Sequence, residues 1–128
     1  MRYLLDTHAL LWWLVDDEQL SAPARAAISD PDNDLFVSSA SAWEISTKHR
    51  LGKLPEAGEI VRDFGDLLRQ AQMIPLPVSI EHALEAGALP DHHRDPFDRM
   101  LIAQSALEDM PIITRDPAFA AYGVDLVW

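Results

Sequence analysis

The chain of 128 residues contains no cysteine, which removes disulfide stapling, a thiol nucleophile and Cys-ligated zinc together. Glycine is sparse as well, with five residues scattered along the chain, so no glycine-rich loop can cradle a nucleotide phosphate. The longest apolar run, Ala9 to Val15, is too short to cross a bilayer, and no basic signal-type segment precedes it. A cytoplasmic protein with no membrane association is expected. Positive charge is also in short supply. Ten Lys and Arg stand against 21 Asp and Glu, a formal net charge of −11. That balance argues against nucleic-acid binding driven by overall charge. It leaves room for chemistry on nucleic acid, because carboxylates that hold metal ions can be locally neutral. The length fits one domain, residues 1–128, and 48% hydrophobic residues are ordinary for a globular core.

What is present is organised around Asp91-His92-His93-Arg94-Asp95-Pro96-Phe97-Asp98-Arg99. Asp95 suits a helix N-cap, and Pro96 suits the first helical position, where its fixed φ helps and its missing N–H costs nothing. Asp98 then falls beside the orphan N–H groups and the positive end of the helix dipole. From Phe97 to Leu107 the residues are mostly apolar or small, which predicts a helix buried on more than one face.

Short apolar segments alternate with helical patterns elsewhere. Arg2 to Leu5 predicts a strand, after which Thr7 is expected to cap a helix carrying Leu10 to Leu14. Ser21 opens a helix through Ile28, and Leu35 to Ser38 is a strand. Ser41-Ala42-Trp43-Glu44 matches a capping box for a helix ending near Gly52. Ile60, Phe64, Leu67, Leu68 and Ala71 repeat with helical spacing. Met73 to Leu76 is acceptable only as an edge strand, because of Pro75. Ser79 starts a helix through Ala88. Ile112 to Thr114 is a buried strand, Arg115-Asp116-Pro117 a turn, and Val124 to Val127 a final strand. Such alternation predicts an α/β fold, a central mainly parallel sheet with helices on both faces.

In these sheets ligands bind beyond the carboxyl ends of the strands. Asp6 and Asp116 each follow directly on a strand, while Glu44 and Asp98 lie in first turns of helices starting at that same end. The four acids can therefore meet. Taken singly, Glu44 has a plainer use in a capping box, Asp116 in a turn and the neighbouring Asp95 as a cap, whereas Asp6, at a strand end followed by a helix, is harder to dismiss. His92 and His93 could ligate a metal, but a loop pair before a helix is more often solvated, and His8, His49 and His82 lack metal-site spacing. Ser38, Ser39 and Ser41 lack a Gly-x-Ser-x-Gly elbow. Trp12 and Trp13 read as core or partner-facing residues. With Phe64 and Leu68, they are expected to leave some apolar surface for a protein partner.

These motifs resemble the VapC-type PIN-domain ribonuclease toxins. The resemblance rests on Leu5-Asp6-Thr7, Ser41-x-x-Glu44-Ile45, Gly52-Lys53-Leu54, His93-Arg94-Asp95-Pro96-Phe97-Asp98-Arg99-Met100-Leu101-Ile102-Ala103-Gln104 and Thr114-x-Asp116. It implies a compact PIN-like α/β/α domain, a Mg²⁺- or Mn²⁺-dependent endoribonuclease, a cognate VapB-type antitoxin and a homodimer. The acidic quartet it carries over is Asp6, Glu44, Asp98 and Asp116, with Asp98 chosen over Asp95 because Asp95 already serves as a cap. Asp6, Asp98 and Asp116 are the expected metal ligands, with Thr7, Thr114, Asp95 and Arg99 in support.

Magnesium prefers oxygen ligands, and an ion held by clustered carboxylates activates a water for in-line attack on a phosphodiester. Products with a 5′-phosphate and a 3′-hydroxyl are expected. RNA phosphates are expected to be gripped by Lys48, Arg50 and Lys53, and by Arg99 beside the site. A haloacid-dehalogenase-type phosphatase would want an Asp where His8 stands, and the acidic pattern of a phospho-receiver is missing. The remaining alternative is a PIN-like binding module without nuclease activity.

Overall fold

The computed structural model describes residues 1–128. Five strands form one sheet in which every pairing is parallel: β1 (Arg2–Leu5), β2 (Asp34–Ser38), β3 (Ile74–Leu76), β4 (Ile112–Ile113) and β5 (Leu126–Val127), in the order β3-β2-β1-β4-β5. The chain runs outward from β1 through β2 to β3, then crosses back to lay β4 and β5 on the other side. The strand order therefore reverses between β1 and β4, which is where α/β sheets open a crevice for ligands.

Alternation along the central strands divides the core into two layers. Leu5 and Ile113 face one layer with Leu35, Val37, Ala9, Leu10 and Ile45. Leu4 and Ile112 face the other with Leu101, Ile102, Met110 and Phe119. The first layer is covered by α1 (Thr7–Leu14), α2 (Ala22–Ser29) and α3 (Ser39–Arg50), and the second by α7 (Pro96–Glu108). Residues Leu101 to Ser105 of α7 are all buried, as a helix apolar on more than one face requires. Pro75 sits on β3, an edge strand, where the missing donor is tolerated.

Three local expectations change. Thr7 does not cap α1. Asp6 occupies the cap position without a capping hydrogen bond, and Thr7 Oγ1 instead donates to Ser41 Oγ at 2.9 Å. Ser41 and Glu44 form no capping box, because α3 begins three residues earlier with Ser38 as its cap, accepting from Ala40 N–H at 3.0 Å. Glu44 is thus moved into the second turn. The helical repeat after Pro55 is broken into a 3₁₀ turn (Pro55–Ala57), α4 (Gly58–Arg62) and α5 (Phe64–Gln70). Asp63 leaves helical geometry at the joint, its carboxylate holding Arg62, and Gly65 just beyond is a weak helix former. Gly52 ends α3 at φ +76°, a conformation that favours glycine. Ser79 caps α6 (Ile80–Ala88) by accepting from His82 N–H, and His82 Nδ1 returns the bond to Ser79 N–H.

Candidate active site

The carboxyl ends of β1 and β4 lie side by side, Asp6 N–H donating to Ile113 O at 3.0 Å. This pairing brings Asp6, the first residue past β1, against Thr114, the first past β4. Thr114 Oγ1 donates to Asp6 Oδ2 at 2.7 Å and accepts from Asp116 N–H at 3.1 Å. One hydroxyl therefore positions two of the acids. Asp116 also caps the 3₁₀ segment Pro117–Tyr122, its Oδ1 accepting from Ala118 N–H. The expected turn after Arg115 is this short helix.

Asp95 caps α7, its Oδ1 accepting from Phe97 N–H at 2.8 Å and Asp98 N–H at 3.2 Å. With that work done, Asp98 turns inward toward the strand ends. Burial pushes its carboxyl up to about 8, and the charges of Asp6, Asp95, Glu44 and Asp116 add to the effect. All four of those acids therefore lie within electrostatic reach of Asp98. Burial also raises the Asp6 carboxyl, with Glu44 adding to the effect, against the opposing pull of the Thr114 hydrogen bond and of His8. Glu44 is 2% exposed and pairs with Lys48 one turn along α3. Burial disfavours the Lys48 ammonium, but its hydrogen bond to Glu44 and the charges of Glu44, Asp95 and Asp98 outweigh that and hold it above its ordinary range.

His93, read from the sequence as solvated, belongs to the site. Its Nε2 lies 3.0 Å from Asp98 Oδ2 and 3.4 Å from Asp116 Oδ2, off the line of a hydrogen bond with either. Its Nδ1 accepts from Asp95 N–H at 3.3 Å, which holds the ring with Nε2 facing the two carboxylates. The loop is fixed from behind by Tyr122 OH, which accepts from His93 N–H, and by Arg99, which donates to His93 O. The signal available in the sequence was the position of His93 two residues before a capping Asp, close enough for the ring to fold back onto the helix mouth.

Arg99 is a correction. Its guanidinium is spent on the carbonyls of Ala86, Gly87, Leu89, Pro90 and His93. It closes the C-terminal end of α6 and shapes the His93 loop, so it is not available to grip RNA. Lys48 is likewise committed to Glu44. Lys53 lines a cleft with Thr7, His8, Glu44 and Lys48, and Arg50 is exposed at the end of α3.

The site suits a divalent cation on its own chemistry. Asp6 Oδ1 and Glu44 Oε1 are buried without any hydrogen-bond partner, a costly condition for carboxylates unless a cation is to be received. His93, Asp98 and Asp116 offer ligand atoms within 4.8 Å of one another. The oxygens suit a hard ion such as Mg²⁺, and an imidazole is also compatible with Mn²⁺.

The sequence and the fold are both similar to those of known proteins. Ribonuclease VapC16 of Mycobacterium tuberculosis is 41% identical over 59 residues, covering 46% of this chain and 40% of that protein. Ribonuclease VapC22 of the same organism is 27% identical over 114 residues, covering 88% of this chain and 85% of that protein. The fold is shared with VapBC2 from Rickettsia felis, solved bound to a DNA fragment from its promoter. That match has TM-score 0.67 and 12% identity, with 98% of this chain and 97% of that chain covered. The PIN domain family model matches residues 3–125. The chain belongs to the PIN-domain family and is homologous to VapC toxins.

Proposed function

We propose that this chain is a metal-dependent endoribonuclease, the toxin of a VapBC-type pair, which hydrolyses RNA phosphodiester bonds. The observation that carries the proposal is the gathering of Asp6, Glu44, Asp98 and Asp116 at the strand ends, with Asp6 Oδ1 and Glu44 Oε1 buried and unpartnered. Both curated relatives are ribonucleases by name. Asp6, Asp98 and Asp116 would hold Mg²⁺, or Mn²⁺ in its place, and Glu44 would bind directly or through water. A bound ion supplies a polarised water and neutralises charge developing on the leaving oxygen.

The protein's own residues do the positioning. Thr114 fixes Asp6 and the backbone of Asp116, Asp95 frees Asp98 from capping, and Thr7 ties α1 to α3 through Ser41. His93 places Nε2 within 3.0 Å of Asp98 Oδ2 and 3.4 Å of Asp116 Oδ2, at the same opening. Lys53 and Arg50 remain candidate phosphate contacts, and Lys48 acts there through Glu44.

The partners follow from the same proposal: RNA, a VapB-type antitoxin and a second copy of the chain, in the cytoplasm. No helix is long and apolar enough to cross a membrane. The apolar surface expected around Trp12, Trp13, Phe64 and Leu68 lies elsewhere, because those residues are buried or half-buried in the first core layer. Ile80, Leu84, Met1 and Trp43 are the large apolar side chains most open to solvent, and they supply surface for protein contact.

Turnover on purified variants tests the proposal. Asp98→Asn and Asp116→Asn keep shape and remove charge, so both should fold while cleavage collapses. Wild-type rates in either variant would refute the role of that carboxylate, and a wild-type chain that leaves RNA intact in Mg²⁺ would make a PIN-like binding module the better description.

A further inference from the structure

The acidic site needs a cation facing the substrate, because an RNA backbone approaching clustered carboxylates is repelled. Arg25, Lys48, Arg62, Arg69 and Arg99 are all spent in ion pairs. Arg115 is different. It directly precedes Asp116, yet it makes no ion pair. Its guanidinium lies 4.6 Å from the centroid of the Trp12 ring, and Nη1 donates to Gln19 Oε1 at 3.4 Å. Both partners are neutral, so the charge is held in place without being cancelled.

Arg115 lines a cleft of about 320 Å³ with Asp6, His8, Trp12, Asp116 and Pro117. Two of the proposed metal ligands therefore share a cleft with an uncancelled guanidinium. Asp6, another wall of that cleft, is 5% exposed and has an unpartnered Oδ1. A planar guanidinium stacked on an aromatic ring keeps its N–H edge free, and that edge matches a phosphate in bidentate fashion. Trp12 also packs against His8 and Trp128, with ring centroids at 5.7 and 5.8 Å. Its indole is thus a platform for the arginine rather than a stacking surface for a base.

We infer that Arg115, held on the face of Trp12, binds a backbone phosphate of single-stranded RNA at the mouth of the acidic site. The inference rests on the nuclease proposal and deepens it, since Arg115 takes the role that Arg99 is too engaged to fill.

The test measures binding of a short labelled single-stranded RNA by fluorescence anisotropy, with Mg²⁺ present and Asp98→Asn as the background to suppress cleavage. Arg115→Ala and Arg115→Lys are compared, with Arg62→Ala as the control for loss of one positive charge on an exposed surface. Loss of one phosphate contact should make the slope of log affinity against log salt shallower by about 0.7. The advantage over Arg115→Ala should therefore shrink roughly threefold between about 50 and about 200 mM salt. Arg115→Lys should keep most of the salt slope at lower affinity, and Arg62→Ala should change neither quantity. Unchanged affinity and slope in Arg115→Ala would overturn the inference. So would equal losses in the Ala and Lys variants, which mark a packing role. A wild-type chain that cleaves RNA while Arg115→Ala binds normally refutes this inference alone. A wild-type chain that neither binds nor cleaves RNA removes the nuclease proposal and this inference with it.

Discussion

Replacing Asp98 by an asparagine should stabilise the metal-free protein near neutral pH, against the usual expectation for an active-site helix residue. The folded chain holds the Asp98 carboxyl at about 8, against an ordinary value of 3.8. An unfolded chain at pH 7 has released a proton that the folded chain retains, so stability from this group falls as pH rises from about 4 to about 8. Over the interval from 3.8 to pH 7, at about 1.36 kcal/mol per pH unit, the upper bound is about 4 kcal/mol. Asp98 retains some contact with solvent, its side chain being 18% exposed, so screening reduces the gain to roughly 1–2 kcal/mol. A neutral amide at this position carries no such penalty. Thermal melts in EDTA should place the variant several degrees above wild type at pH 7, and the two should converge below about pH 3, where the carboxyl is largely protonated in both states. Mg²⁺ should reverse the order, because binding to the folded state stabilises by mass action and the amide binds the ion less well than the carboxylate. A variant less stable than wild type at every pH, or a difference that ignores pH, would refute the proposed electrostatic penalty.

Other perturbations separate neighbouring roles. Asp95→Ser should retain the cap and cost well under about 1 kcal/mol, whereas Asp95→Ala should cost about 1 kcal/mol in chemical denaturation; the reverse ranking would deny the capping role seen at Phe97 and Asp98 N–H. Lys48→Met strands the buried Glu44 carboxylate and should destabilise by about 3 kcal/mol. Adding Glu44→Gln should recover part of that loss, and a purely additive double variant would show that the pair is not coupled.

The fold was legible wherever local chemistry and burial agreed. Asp95-Pro96 announced the start of α7, Ser21 and Ser79 announced α2 and α6, and the position of Pro75 announced an edge strand. The start of α3 was misplaced because Ser38, Ser39 and Ser41 all suit a cap, and only the end of β2 selects Ser38. Arg99 and His93 exchanged roles for a related reason. Periodicity shows that Arg99 sits near the helix entrance, but not that the end of α6 and the loop from Leu89 to His93 fold over it and engage both of its terminal nitrogens. That fold turns His93 inward. The meeting of Asp6 with Thr114 across 108 positions depends on β4 lying beside β1, a topology that local patterns alone do not specify.

The central claim, metal-dependent hydrolysis of RNA at this carboxylate site, is tested most directly by incubating the purified chain with single-stranded RNA in Mg²⁺ or EDTA and identifying the new ends. Cleavage only with the metal, leaving 5′-phosphate and 3′-hydroxyl ends, is the predicted result. Cleavage that persists in EDTA and leaves a 2′,3′-cyclic phosphate would contradict it, as would intact RNA in Mg²⁺.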